Sequence, residues 1–241
     1  MNMKDKTTAV VLAAGQGRRM HSSVQKQYML LQDKPVIYYA LKTFQESFID
    51  EIILVTGEGE EDFCQNVIVD KYNLSKVKKI VAGGAERYHS VANGLKVADN
   101  SGYVFIHDGA RPFLTQEILH RAYNAVKEYH ACVVGMPVKD TIKIADDNGL
   151  IKRTPDRKSM WQIQTPQVFD LKLAKEAYGS LLEREEELKA EGINITDDAM
   201  VVETLLHHPV KLIEGSYDNI KLTTQEDLDI ACYIMKRHII S

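Results

Sequence analysis

The 241-residue sequence predicts an α/β fold: a mostly parallel, twisted sheet with helices on both faces, and a β-hairpin arm inserted beyond its middle. Three observations predict it. Short runs of β-branched and apolar residues alternate with stretches whose apolar residues recur at helical spacing. This βαβα rhythm belongs to sheets buried on both faces, whose strands read as continuous apolar runs. Glycines and charged residues gather after the first, third and fourth strand runs, and such sheets bind ligands outside the carboxyl ends of their strands. Lastly, one segment near residue 140 breaks the rhythm with period-two alternation about a turn.

Taken in order, Thr8–Ala14 is the first strand. Pro35–Phe44 is a helix with Val36, Ile37, Ala40, Leu41 and Phe44 on one face. Glu51–Thr56 is the second strand, Glu60–Tyr72 a helix and Val77–Ala82 the third strand. Gly83-Gly84 leads into a helix over Glu86–Ala98, and Tyr103–His107 is the fourth strand. Thr115 caps a helix to Tyr129, and Ala131–Val138 is the fifth strand. Within 139–159, Thr141-Ile-Lys-Ile-Ala and Leu150-Ile-Lys-Arg-Thr flank the turn Asp146-Asp-Asn-Gly149, which reads as a hairpin. A lone hairpin is marginal in water, so this arm is expected to pack on a second subunit. After Thr165-Pro-Gln-Val-Phe169 come a polar helix around Leu171–Glu191, a helix to Leu206 capped by Thr196 or Asp197, a strand Val210–Glu214, and a closing helix Thr224–Arg237 capped by Thr223 or Thr224. There is no internal repeat, and 1–241 reads as a single domain carrying the 139–159 arm.

Composition narrows the class. A net charge of -4 gives no support to wholesale nucleic-acid binding. Cys64, Cys132 and Cys232 are odd in number and far apart, with neither a disulfide framework nor metal-ligand spacing. The N-terminal residues lack a signal peptide's apolar core, and no apolar run approaches the roughly 20 residues that span a bilayer. A soluble cytoplasmic protein is expected.

The chemistry-bearing residues cluster after strands. The first strand runs into Gly15-Gln-Gly17-Arg18-Arg19-Met20, followed by Lys26. Gly15 and Gly17 permit positive φ and close backbone approach, and a nest of N–H groups suits anionic oxygens. The third glycine of a dinucleotide fingerprint is missing, and so is the Gly-Lys-Ser/Thr ending of a P-loop. The bland alternative is a tight turn with solvated cations. Asp108, in His107-Asp-Gly-Ala-Arg111-Pro112, is placed to hold Mg²⁺ together with phosphate oxygens, since magnesium takes one or two carboxylates and keeps waters. His107 reads as a supporting or packing residue rather than a ligand. Gly83-Gly84-Ala85-Glu86-Arg87-Tyr88-His89-Ser90 offers main-chain groups that can read a base or a ribose. Arg157 and Lys221 are isolated basic residues, ordinarily solvated charges.

Seven motifs together resemble one family. Leu12-Ala-Ala-Gly-x-Gly-Arg-Arg-Met20, Lys26-Gln-Tyr28, His107-Asp-x-Ala-Arg-Pro112, Val138-Lys-Asp-Thr-Ile-Lys143, Thr165-Pro-Gln167, Thr196-Asp-Asp198 and Asn219-Ile-Lys-Leu-Thr223 are similar in order and spacing to those of 2-C-methyl-D-erythritol 4-phosphate cytidylyltransferases. The resemblance covers nearly the whole chain. It implies a Rossmann-like nucleotidyltransferase that takes CTP as co-substrate and Mg²⁺ as cofactor, works in non-mevalonate isoprenoid synthesis, and forms a homodimer through its arms. By motif it implies that Ala13, Ala14, Gly15 and Gly17 cradle CTP, and that Gly84, Ala85 and Ser90 meet cytosine and ribose. Arg19 and Lys26 would stabilise the transition state at the α-phosphorus, and Asp108 would hold Mg²⁺. Arg111, Thr141 and Lys221 would face the sugar phosphate, which Arg157 would reach from the partner subunit. Ala85 stands where some members carry an acidic residue. The rivals are a ribitol-5-phosphate cytidylyltransferase, an NAD-binding dehydrogenase and a non-catalytic nucleotide sensor. Ala13-Ala14-Gly15 and Gly109-Ala110 favour methylerythritol phosphate over ribitol phosphate. The missing third glycine and the loop cations disfavour the dehydrogenase, although Glu58 follows the second strand as its ribose-binding acid would. A sensor has no use for Asp108 together with Arg19 and Lys26.

Overall fold

The computed structural model describes residues 5–15, 25–99 and 102–240, the last three by backbone only. The motif residues Gly17, Arg18, Arg19 and Met20 therefore lie outside the described residues. β1 (Thr7–Ala13), β4 (Glu51–Thr56), β5 (Val77–Ala82), β6 (Tyr103–Asp108), β7 (Ala131–Pro137), β10 (Trp161–Asp170) and β11 (Lys211–Glu214) form a seven-stranded sheet. Their order across it is β11-β7-β10-β6-β1-β4-β5. β1 pairs in parallel with β4 and β6, β4 with β5, and β7 with β11. β10 alone runs antiparallel, between β6 and β7.

β10 is the element the sequence conceals. Gln164, Thr165 and Gln167 are buried, and Pro166 breaks the expected strand pattern. The cis Thr165–Pro166 bond falls inside a register shift between Ile163 and Gln167, where the ladder is already interrupted.

Helices cover both faces because β1 and its neighbours are apolar on both sides. On one face, α1 (Val36–Gln45) and α4 (Gln116–Tyr129) bury Ile37, Leu41, Phe44 and Leu119 against Val11, Leu54 and Phe105. The same face takes Ile68 from a stretch that starts as α2 (Glu61–Phe63) and continues as a π-helix over Cys64–Asp70. On the other face, α3 (Arg87–Val97), α5 (Leu171–Glu183) and α7 (Asp198–Leu206) bury Val91, Tyr178 and Val201 against Val10, Ile53 and Ile106. Val10 and Val11 thus serve opposite cores, as the strand period requires. The polar helix expected over Leu171–Glu191 is broken at Arg184 into α5 and α6 (Glu185–Ala190).

A third cluster joins α8 (Gln225–Ile240) to β2 (Leu30–Leu31), with Leu31, Phe113, Leu222 and Leu228 at its centre. The expected caps form at Thr115, which accepts the Ile118 N–H at 3.4 Å, and at Asp197, which accepts that of Met200 at 2.9 Å. At α8 it is Asp227 that gathers the N–H groups of Thr223 and Thr224, at 2.7 and 2.9 Å. β3 (Lys34–Pro35) pairs with β2. The arm carries β8 (Ile144–Ala145) and β9 (Ile151–Arg153), antiparallel as expected but shorter than the alternation suggests.

Candidate active site

The chain leaves β1 toward β4 on one side of the sheet, and later returns to place β6 on β1's other side. This is a topological switch point, where open α/β sheets bind ligands. A cleft of about 1000 Å³ opens there. Leu12 and Asp108 lie opposite each other at the adjoining ends of β1 and β6, and the Gly109 N–H donates to the Leu12 carbonyl at 2.8 Å.

One wall of the cleft is nearly all main chain. The Gly83 N–H donates to the Thr56 carbonyl at 2.7 Å, and the Gly84 N–H to Ser90 Oγ at 3.1 Å. A Cβ on Gly83 would lie 2.4 Å from Ala14 Cβ and 2.7 Å from Ser90 Oγ, so only glycine lets these two turns touch. Opposite, Lys26–Tyr28 forms a single 3-10 turn. Glu60 anchors it by accepting from the side chains of Gln25 and Tyr28 and, at 3.1 Å, from the Gly57 N–H. Gln27 is buried and donates to the Ala13 carbonyl, which ties the Lys26 turn to the end of β1.

Asp108 forms the floor. Lys221 meets its Oδ2 at 2.7 Å, and Arg87 Nε meets its Oδ1 at 3.2 Å. Burial works against ionisation of Asp108, but Arg87, Lys221 and Arg111 outweigh it and hold the carboxyl well below the usual range. Asp108 is therefore an anion at any working pH. Beneath it His107 is fully buried, and desolvation lowers its pKa to about 4. As a neutral ring it carries its proton on Nε2, which faces the Arg111 carbonyl at 3.2 Å. The bare Nδ1 then accepts from Thr165 Oγ1 at 2.9 Å, and that oxygen accepts the Asp108 N–H at 3.1 Å. So Thr165 of β10 locks the backbone of Asp108, and His107 supports it from beneath, as its sequence context suggests.

Nearly the whole chain matches a known family. The sequence model for "2-C-methyl-D-erythritol 4-phosphate cytidylyltransferase" covers residues 7–237. The chain belongs to this cytidylyltransferase family. A relative of that name from Lachnospira eligens is 50% identical over 230 residues, spanning 95% of this chain and 99% of the relative. One from Lachnoclostridium phytofermentans is 48% identical over 234 residues, or 97% and 98%. The crystal structure of a 4-diphosphocytidyl-2C-methyl-D-erythritol synthase from Anaerococcus prevotii superimposes with a TM-score of 0.80 at 34% identity, covering 96% of each chain.

Of the residues that carry the cytidylyltransferase resemblance, Ala13, Ala14, Gly15, Lys26, Gly84, Ala85, Ser90, Asp108 and Lys221 all line the cleft. Gly17 and Arg19 fall outside the described residues. Arg111 lies under the floor rather than in the lining. It is buried, with its guanidinium on the carbonyls of Asn219 at 2.7 Å and Ile163 at 3.4 Å. Thr141 and Arg157 stand on the arm, exposed and away from this cleft, and Arg157 donates to the Lys139 carbonyl at 2.7 Å.

Arg87 and Asp198 lie within quoted stretches of the sequence but carry no role there. Arg87 opens α3, where the helix dipole disfavours a cation, and that misplacement was a readable sign of a carboxylate partner. Asp198 follows the cap Asp197. One acid suffices for capping, so the second was left to be explained. It is fully buried and pairs with Arg87.

Proposed function

We propose that the chain transfers CMP from CTP to 2-C-methyl-D-erythritol 4-phosphate, giving 4-diphosphocytidyl-2-C-methyl-D-erythritol and pyrophosphate in isoprenoid synthesis. The observation that carries this reading is the convergence, at the β1/β6 switch point, of Lys26, Asp108 and Lys221 with the Gly83-Gly84/Ser90 wall in one cleft. Membership in the family, with relatives matched over nearly their full length, supports the choice of substrates.

In this reading the nucleobase and ribose rest on the glycine wall, and the triphosphate bends over Gly15 toward Lys26. An oxygen of the sugar phosphate attacks the α-phosphorus. The bond from that phosphorus to the bridging oxygen breaks, and its electron pair leaves with pyrophosphate. The attacking phosphate is ionised at neutral pH, so no proton has to be removed. His107, neutral and sealed under the floor, is not used. The barrier is then one of orientation and charge. Lys26 meets charge on the α-phosphate, and Lys221 and Arg157 of a second copy hold the incoming phosphate.

The residues fit Mg²⁺. Among the described residues no group of three or more His, Cys, Asp or Glu side chains could hold a metal, so a prebuilt cage is not the arrangement here. A single anionic carboxylate, Asp108, stands where phosphate oxygens would complete the shell, the usual pattern for magnesium. The described lining also sets Lys26, Arg87 and Lys221 against Glu58, Glu60, Glu86 and Asp108, so a triphosphate needs further positive charge. A bound Mg²⁺ would supply it and polarise the phosphoryl oxygens.

A homodimer joined through 139–159 accounts for the exposed arm. Among the described residues no helix is long and apolar enough to cross a membrane. Free thiols at Cys64, Cys132 and Cys232 suit a reducing cytoplasm. The test is Mg²⁺-dependent pyrophosphate release from CTP with methylerythritol phosphate or ribitol 5-phosphate as acceptor. Release with the first acceptor supports the reading. Preference for ribitol phosphate overturns the substrate, and no release with either overturns the reaction.

A further inference from the structure

The two cations on Asp108 are held in unlike ways. Lys221 makes one ion pair there, and its side chain is 35% exposed. Arg87 is fixed from behind. Its Nη1 and Nη2 donate in parallel to the two oxygens of Asp198, at 2.6 and 2.8 Å, while Nε points at Asp108 Oδ1. The Tyr178 hydroxyl, from α5, donates to Asp198 Oδ1. Gln167 of β10 donates to Asp197 at 3.1 Å and accepts the Ala199 N–H at 2.7 Å, so the backbone on both sides of Asp198 is held too. Three helices and a central strand thus converge on one guanidinium.

A two-pronged fork of this kind sets the plane of the guanidinium as well as its position, which a lysine cannot do. A buried ion pair is weak evidence of a stability role, because apolar pairs often replace it at no loss. The fork's product is a fixed orientation of the Asp108 carboxylate.

We propose that Arg87 and Asp198 are positioning residues for nucleotidyl transfer: Asp198 fixes Arg87, and Arg87 holds Oδ1 of Asp108 so that Oδ2, the oxygen Lys221 pairs with, is turned to the cleft. The inference rests on the transfer reading above. It assigns the two residues no part in holding cytidine, since the Gly84–Ser90 contact and the Ala14 turn stand without them.

The experiment compares Arg87→Met, Arg87→Lys, Asp198→Asn and the double variant Arg87→Met/Asp198→Asn in the full chain, by pyrophosphate release and thermal melting. Each single variant is expected to lower kcat by roughly 10- to 100-fold, the scale of a misplaced reacting group. KM for CTP should stay within about threefold, which marks a loss confined to the transition state. Arg87→Lys keeps the charge but should recover less than half of the loss. The double variant should fall within about twofold of Arg87→Met, because Asp198 acts only through Arg87. Multiplying losses in the double variant would overturn the proposal, as would a loss that falls on KM for CTP. If a single variant fails to fold, the double variant decides, because it removes both buried charges together. Folded and within twofold of wild-type kcat, it sinks the proposal. Absence of pyrophosphate release by the wild-type protein would instead sink the transfer reading itself.

Discussion

The cleft and the arm solve opposite problems. In the cleft, most groups that could act are braced from behind by hydrogen bonds. Thr165 and His107 fix the backbone of Asp108, Asp198 fixes Arg87, and Glu60 fixes the turn that carries Lys26. The arm has two short strands, with Leu150 and Ile151 67% and 63% exposed, and it carries Thr141 and Arg157 in the open. Charge stabilisation at a reacting phosphorus depends on donors that need not reorganise, which is what the cleft provides. An exposed arm that presents Leu150 and Ile151 to solvent is suited to gaining its order from an interface. In the proposed assembly, one chain furnishes the nucleotide half of the site and a second copy finishes the sugar-phosphate half.

The largest effect expected lies in the cleft. Lys26→Ala should lower kcat by roughly 10²–10³, the cost of losing one preorganised charge donor. Turnover with saturating CTP within a few-fold of wild type would remove Lys26 from the chemistry. On the arm, Leu150→Asp/Ile151→Asp should weaken self-association by at least about 100-fold, given roughly 1.5–3 kcal/mol for burying each such side chain. Sedimentation velocity reads this directly, and an unchanged dimer would free the arm from its proposed task. Arg157→Ala should lower kcat/KM for the sugar phosphate about 10- to 100-fold, as loss of one charged hydrogen bond does. Calorimetric CTP affinity should not move. If CTP binding falls as well, the division between cleft and arm is wrong.

A smaller effect concerns the floor. The folded-state pKa of His107 is about 4 against an ordinary value of 6.5, so the folded protein binds fewer protons between those values. The stability from keeping the ring neutral is fully present above pH 6.5 and is lost as pH falls toward 4. Urea melts at pH 7 and pH 5 should show wild type losing about 2 kcal/mol from this source, a loss absent in His107→Gln. Equal pH dependence in the two proteins would contradict the burial assigned to the ring.

Much of the cleft was legible because its parts are local. Thr7–Ala13 announces a buried strand by its own composition, and Gly83-Gly84 announces a turn by its own backbone freedom. What was not legible depends on distant pairings. Trp161–Asp170 looks polar and contains Pro166, so no periodicity marks it as a central strand. Its buried glutamines find their partners only where β10 meets α7 and the loop at Asn219. Arg87 and Asp198 are 111 positions apart, and only the folded chain makes them neighbours. The break of Leu171–Glu191 at Arg184 had no proline or glycine to signal it.

In the proposed dimer, a working site takes its cleft from one chain and its arm from another. Co-expressing Lys26→Ala with Arg157→Ala tests it most directly. In a heterodimer one site carries both lesions and the other carries neither, so random pairing in a twofold dimer restores about a quarter of wild-type pyrophosphate release. Activity that stays at the level of the two separate variants would contradict the claim and put both residues in a site built by a single chain.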